Sequence, residues 1–107
     1  MSNASTNDKV KIYNDSYVFH LYVTGASPNS LRAITNTKNI CEEYLNENYD
    51  LEVIDVHQQP AIAEKENIIA LPLLVKKYPL PEKRVIGDMS DVDRVVRSMG
   101  FSKPKYK

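Results

Sequence analysis

The sequence predicts a single α/β domain with the element order βαβαββα, and three observations lead there. Tyr17–Val23 is an almost unbroken run of β-branched, aromatic and apolar residues, the pattern of a strand covered on both faces. From Asn29 to about Asn48 the apolar period changes to that of a helix. Pro79-Leu80-Pro81 then forces a short turn between two further strand-like segments, which makes that closing pair antiparallel.

Taken in order, residues 1–16 read as a loose polar segment, with Met1-Ser2-Asn3-Ala4 resembling an expression remnant and Lys9 to Tyr13 able to extend the first strand. Thr24-Gly25-Ala26 breaks that strand. Ser27 supplies an N-cap and Pro28 fills the first helical position, where its missing N–H costs nothing. Leu31, Ile34, Cys41 and Leu45 form the expected apolar stripe, and Tyr49-Asp50 ends the helix before a strand at Leu51–Val56. Pro60 opens a short helix to about Asn67, and Leu73-Leu74-Val75 is the third strand. Lys83–Ile86 is the fourth, stopped by Gly87. Ser90-Asp91-Val92-Asp93 has the form of a capping box with Asp in place of Glu, so a final helix starts there. Val92, Val95, Val96 and Met99 give its apolar stripe and Gly100 its C-cap. Two strands joined through a long helix imply a parallel crossover, and helices can cover both sheet faces. The arrangement is thioredoxin-like.

Composition narrows the function classes. A chain of 107 residues with 42% apolar content supports one small core. Pro72 interrupts the longest apolar run, so nothing approaches the roughly 20 residues a membrane span needs. One cysteine excludes an internal disulfide and a multi-thiolate zinc site, and with no secretory signal the expected compartment is the cytoplasm. The net charge is zero, yet residues 1–75 carry 5 basic and 10 acidic side chains whereas residues 76–107 carry 9 and 4. That asymmetry suits pairing with another copy or with an acidic partner surface. It does not suggest nucleic acid.

Chemistry-bearing residues are few. Ser27-Pro28-Asn29-Ser30 stands where a thioredoxin carries its paired cysteines, so disulfide exchange lacks a nucleophile. Cys41 sits on an apolar helix stripe and reads as an inert buried thiol. His20 and His57 lack the spacing of a metal site, and His20 reads as a satisfied sheet histidine. Glu64, Glu66, Asp88, Asp91 and Asp93 form no defensible catalytic pair, and the three glycines form no phosphate loop. No cofactor is expected.

Several stretches in succession carry a resemblance: Leu21-Tyr-Val-Thr-Gly25, Ser27-Pro-Asn-Ser-Leu-Arg-Ala33, Val53-Ile-Asp-Val56, Ala70-Leu-Pro72, Pro79-Leu-Pro81 and Arg84-Val-Ile-Gly-Asp-Met-Ser90. In this order, from Tyr17 to Met99, the chain resembles the KaiB family. The resemblance implies a non-enzymatic partner of the hexameric KaiC ATPase, best known from the cyanobacterial circadian clock. It also implies a metamorphic protein. One state, usually a homotetramer, has the order βαββααβ; the other is a thioredoxin-like βαβαββα monomer that binds the ATPase. The sequence string matches the second.

By the same resemblance, Arg32, Lys76, Lys83 and Arg84 match basic binding positions and are expected to share one face, with Tyr17, Pro28 and Asn29 as further contact or state-setting positions. Pro72, Pro79, Pro81, Ser98 and Gly100 are the implied fold-switch positions, and a thioredoxin-like domain implies a cis Leu71–Pro72 bond. Near Ser98 and Gly100 the family often has Gly and Asp; losing that Gly from a helix interior favours the helical state by about half a kcal/mol. Asp50 and Glu52 replace the small or basic residues with which clock members capture KaiA, which makes KaiA a doubtful partner. Leu80 interrupts the family's proline run, and a basic tail over residues 102–107 replaces an acidic one. The alternatives are a thioredoxin-like stress protein acting through Cys41 and a self-associating scaffold with no ATPase partner.

Overall fold

The computed structural model describes residues 16–101. Its elements are β1 (Tyr17–Val23), α1 (Pro28–Leu45), β2 (Tyr49–Asp55), α2 (Pro60–Lys65), β3 (Leu73–Tyr78), β4 (Lys83–Ile86) and α3 (Val92–Met99), so the order is βαβαββα as expected. The four strands lie in the order β2-β1-β3-β4; β1 runs parallel to β2 and antiparallel to β3, and β3 is antiparallel to β4. The expected loose segment, all but Ser16, and the basic tail lie outside the described residues.

Alternation along β1 builds two cores. Phe19, Leu21 and Val23 point to one face, where Ala33, Ile40 and Cys41 of α1 and Val95 and Met99 of α3 cover them. Tyr22 points to the other face, packing with Ile54, Leu73 and Val75 beneath Ile62 of α2. A strand buried on both faces cannot alternate apolar with polar, which is why its sequence reads as continuous.

Element bounds and two apolar stripes differ from expectation. Asn46, at φ 58°, ends α1 at Leu45, and parallel pairing of Tyr17 with Tyr49 draws Tyr49-Asp50 into β2. Pairing of Val18 with Tyr78 likewise lengthens β3 beyond Val75, and α2 stops at Lys65 rather than near Asn67. The buried face of α1 is Ser30, Ala33, Thr37, Ile40 and Cys41, leaving Leu31 52% exposed. Small residues at Ser30 and Ala33 let the helix approach the sheet, and Leu31 lies one residue, about 100°, off that stripe. Val92 shares the stripe of Val95 and Met99 but stays exposed because it is the first residue of the final helix, at its open end.

α3 starts one residue later than the capping box suggests. Asp91 is the N-cap, its carboxylate accepting from the Arg94 amide at 3.2 Å, while the Ser90 amide donates to Asp88 Oδ1 at 3.0 Å. At the other end Gly100 takes φ 77°, the left-handed C-cap that glycine adopts without strain, and its amide donates to Val96 O at 3.0 Å. Phe101 then turns back onto the sheet, with ring centroids 5.6 Å from Tyr17 and 5.9 Å from Phe19. Met99 is the largest fully buried side chain of this helix, so Met99→Ala is expected to destabilise the fold by about 2–5 kcal/mol in urea denaturation.

Candidate partner-binding site

The first turn of α1 is built from side chains that serve the backbone. The Ser30 amide donates to Ser27 Oγ at 3.2 Å, and buried Ser30 Oγ both accepts from the Thr24 amide and donates to its carbonyl. Asp55 fixes the preceding turn by accepting from the Gly25 amide at 3.0 Å. Pro28 and Asn29 are left on the surface. Arg32, one turn on, donates to Asn29 Oδ1 and, at 3.1 Å, to Asp88 Oδ2 in the β4–α3 connection. Asn36 donates to the Asp88 carbonyl at 2.9 Å. Hydrogen bonds from the Ser90 hydroxyl and amide, and then from Arg32, hold the Asp88 carboxyl below its usual range. The start of α1 and the start of α3 thus form one polar platform.

The four basic residues expected to share a face do not. Lys76 and Lys83 are cross-strand partners on the α1/α3 side of the sheet, whereas Arg84, next along β4, points to the α2 side. Arg84 donates to Glu66 O at 2.8 Å, to Asn67 O at 3.4 Å and to Glu82 Oε2 at 3.3 Å. Lys77 joins the same cluster through Glu66 at 3.3 Å and Glu82 at 3.5 Å. Burial opposes the Lys77 charge, but its hydrogen bond to Glu66 and the two nearby carboxylates outweigh it and raise its pKa. Arg84 therefore ties the end of α2 to the β3–β4 hairpin.

Lys76 is no surface cation either. It is 6% exposed, its Nζ donates to Met99 O at 3.4 Å, and it lies 6.0 Å from the Tyr17 ring centroid. A cation here faces the carbonyl end of α3, the favourable pole of that helix. Burial, and secondarily the like charge of Lys83, pushes its pKa below the ordinary lysine value of 10.5. Tyr17, half-buried, belongs to the same inward-facing group through Phe101 and Phe19.

Among the implied fold-switch positions, Pro72 is buried, Pro79 half-buried and Pro81 exposed, and all three follow cis peptide bonds. Ser98 lies half-buried inside α3 and Gly100 caps it. His20 is satisfied as expected, between Tyr22 Oη at 3.3 Å and Glu52 Oε1 at 3.5 Å. Cys41 is buried, and desolvation, with a smaller contribution from Glu42, pushes its pKa up to about 12. Burial thus opposes the thiolate, the form that acts as a nucleophile. Among the described residues no group of three or more His, Cys, Asp or Glu could hold a metal, and no helix is long and apolar enough to cross a membrane.

Sequence reading missed Asn36, Asp88 and Lys77 as parts of this surface. Asp88-Met89-Ser90 does carry a local signal, an Asp whose carboxylate can accept from the amide two residues on. The reach of Arg32 across 56 positions has no such signal.

Comparison with known proteins gives a consistent pattern. The KaiB domain matches residues 20–100. The circadian clock oscillator protein KaiB of Microcystis aeruginosa is 44% identical over 87 residues, covering 81% of this chain and 84% of that protein. That of Synechococcus elongatus is 47% identical over 81 residues, covering 76% and 79%. Among solved structures, the N-terminal domain of Synechococcus elongatus SasA superposes with a TM-score of 0.66 at 22% identity, covering 80% of this chain and 85% of that one. The Drosophila melanogaster thioredoxin Deadhead gives 0.64 at 12% identity, covering 91% and 90%. Both structures share the thioredoxin-like fold.

Two results are expected for Lys76. Its folded pKa lies below its unfolded one, so at this group the unfolded chain binds more protons in the window just under pH 10.5, and its own contribution to stability should rise with pH there. That contribution is read as the difference between the wild type and Lys76→Met, because Cys41 and Lys77 contribute with the opposite sign. Lys83→Met should move the Lys76 pKa back up, read from its Nζ or Cε resonance in an NMR titration.

Proposed function

Because this chain belongs to the KaiB family, we propose that it is a non-enzymatic regulator that docks on a hexameric KaiC-type ATPase in its thioredoxin-like form, within a clock-related or stress-response system. The observation that carries this reading is the KaiB match across residues 20–100, which runs from within β1 to the end of α3. The chemistry agrees with it. The turn that holds paired thiols in a thioredoxin holds Ser27-Pro28-Asn29-Ser30 here, and Cys41 is buried where desolvation opposes its thiolate.

In this reading Pro28, Asn29 and Arg32 present the polar start of α1 to the ATPase, and Lys83 adds a surface cation from β4. Tyr17 and Lys76 act from inside, by holding the end of α3 in place, and Arg84 acts mainly by fixing the β3–β4 hairpin. At rest the chain is a homo-oligomer, a tetramer or dimer of order βαββααβ, in the cytoplasm. Rearrangement to the docking form centres on Pro72, Pro79, Pro81, Ser98 and Gly100. KaiA is not expected to bind, because Asp50 and Glu52 make the exposed strand β2 acidic. A docking form that is a minor fraction at rest lowers apparent affinity by that fraction, so complex formation is slow and incomplete at low concentration.

Incubation for many hours with a cognate ATPase hexamer and ATP should carry this protein into the ring fraction on gel filtration; persistent elution apart from the ring would refute the reading. Arg97→Pro places proline inside α3 at a cost of roughly 3 kcal/mol and should abolish retention. Retention of Arg97→Pro would mean that the helical form is not the one that docks.

A further inference from the structure

On the α2 side of the sheet an open groove of about 230 Å³ runs along β4. Leu73 forms its floor, Ile69 and Ile86 its apolar walls, and Asn67, Arg84 and Arg94 its polar rim. Ile69 is 92% exposed and Ile86 44% exposed, so two large apolar side chains face solvent beside an already formed hollow. β4 is the last strand of the sheet and pairs only with β3 among the described residues, so no further strand covers its outer edge, where Arg94 already holds the Ile86 carbonyl.

The two rim arginines differ. Glu66 and Glu82 neutralise Arg84. Arg94 reaches the groove from α3 and donates to Ile86 O at 3.1 Å; no carboxylate of the described residues pairs with it. It is a cation set at the end of an open strand edge, next to apolar surface.

We propose that this groove and the β4 edge receive an extended segment of a partner protein in which apolar residues alternate with carboxylates. The strand edge favours an extended backbone, the Ile69–Leu73–Ile86 surface takes apolar side chains on one side of it, and Arg94 takes a carboxylate. The inference rests on the docking reading above in that it assigns part of the partner's chemistry, and it adds Ile69 and Arg94 to the contact surface.

The probe is a short fluorescein-labelled peptide alternating valine with glutamate, with a valine–lysine peptide as its counterpart. Anisotropy should rise with the acidic peptide and not with the basic one. Arg94→Glu and Ile69→Ser, both at exposed positions, should each weaken binding about tenfold, while Val53→Ser on the opposite sheet edge should leave it unchanged. Arg94→Gln serves as the milder variant if the charge reversal unfolds the chain. Equal binding of the two peptides, or indifference to both groove substitutions, overturns the proposal. Self-association in sedimentation that Arg94→Glu removes also overturns it, by making a second copy the occupant. In the ring experiment, full retention of Arg94→Glu and Ile69→Ser rejects the groove and leaves ATPase docking intact. Failure of the wild type to join the ring while it still binds the acidic peptide rejects ATPase docking and upholds the groove.

Discussion

The seating of α3 on the sheet is the constraint on which the rest of this molecule depends. A helix of 8 residues is too short to be stable alone, so its existence comes from what it buries. Val95 and Met99 enter the core over β1, Phe101 closes the end against Tyr17 and Phe19, and Lys76 places a cation under the last carbonyls. The caps Asp91 and Gly100 define the two ends. Helix, aromatic cluster and buried lysine form one cooperative unit, and weakening one of them loosens the hold on the others.

That unit also sets the character of the surface. With Lys76 and Tyr17 turned inward and Arg84 held by Glu66, Glu82 and two carbonyls, the cations on the outside are fewer than the count of basic residues implies. Arg32, Lys83 and Arg94, each on a different element, remain exposed, as do Lys38, Lys65 and Arg97. A partner therefore meets separated charges set in polar and apolar surroundings, a pattern that favours orientation over generic attraction.

Much of the fold was legible in the chain because its strongest signals are local. The continuous apolar run of β1, the Ser27-Pro28 start, the proline turn and the Asp91 and Gly100 caps each act over a few residues. The errors have tertiary causes. β2 and β3 are longer than their sequences suggest because β1 offers backbone partners at both ends. Leu31 looks like a core residue until Ser30 and Ala33 are seen to carry the close approach of α1. The binding face was the least legible part. Strand alternation does place Lys76 and Arg84 on opposite sides, but whether a cation is free or held depends on contacts such as Glu66 and Met99 that lie far along the chain.

The contact between Arg32 and Asp88 has a mechanical meaning. Together with Asn36 it anchors the first residues after β4 to the middle of α1, across 56 and 52 positions of sequence. Any displacement of the chain beyond Gly87 must first break these bonds, and it then leaves the Arg32 guanidinium without its carboxylate and the Asn36 amide without its carbonyl on the outer flank of α1. The same two donors that fasten the carboxy-terminal third thus become vacant sockets when it departs, so the shape of the back half is written on the surface of the front half.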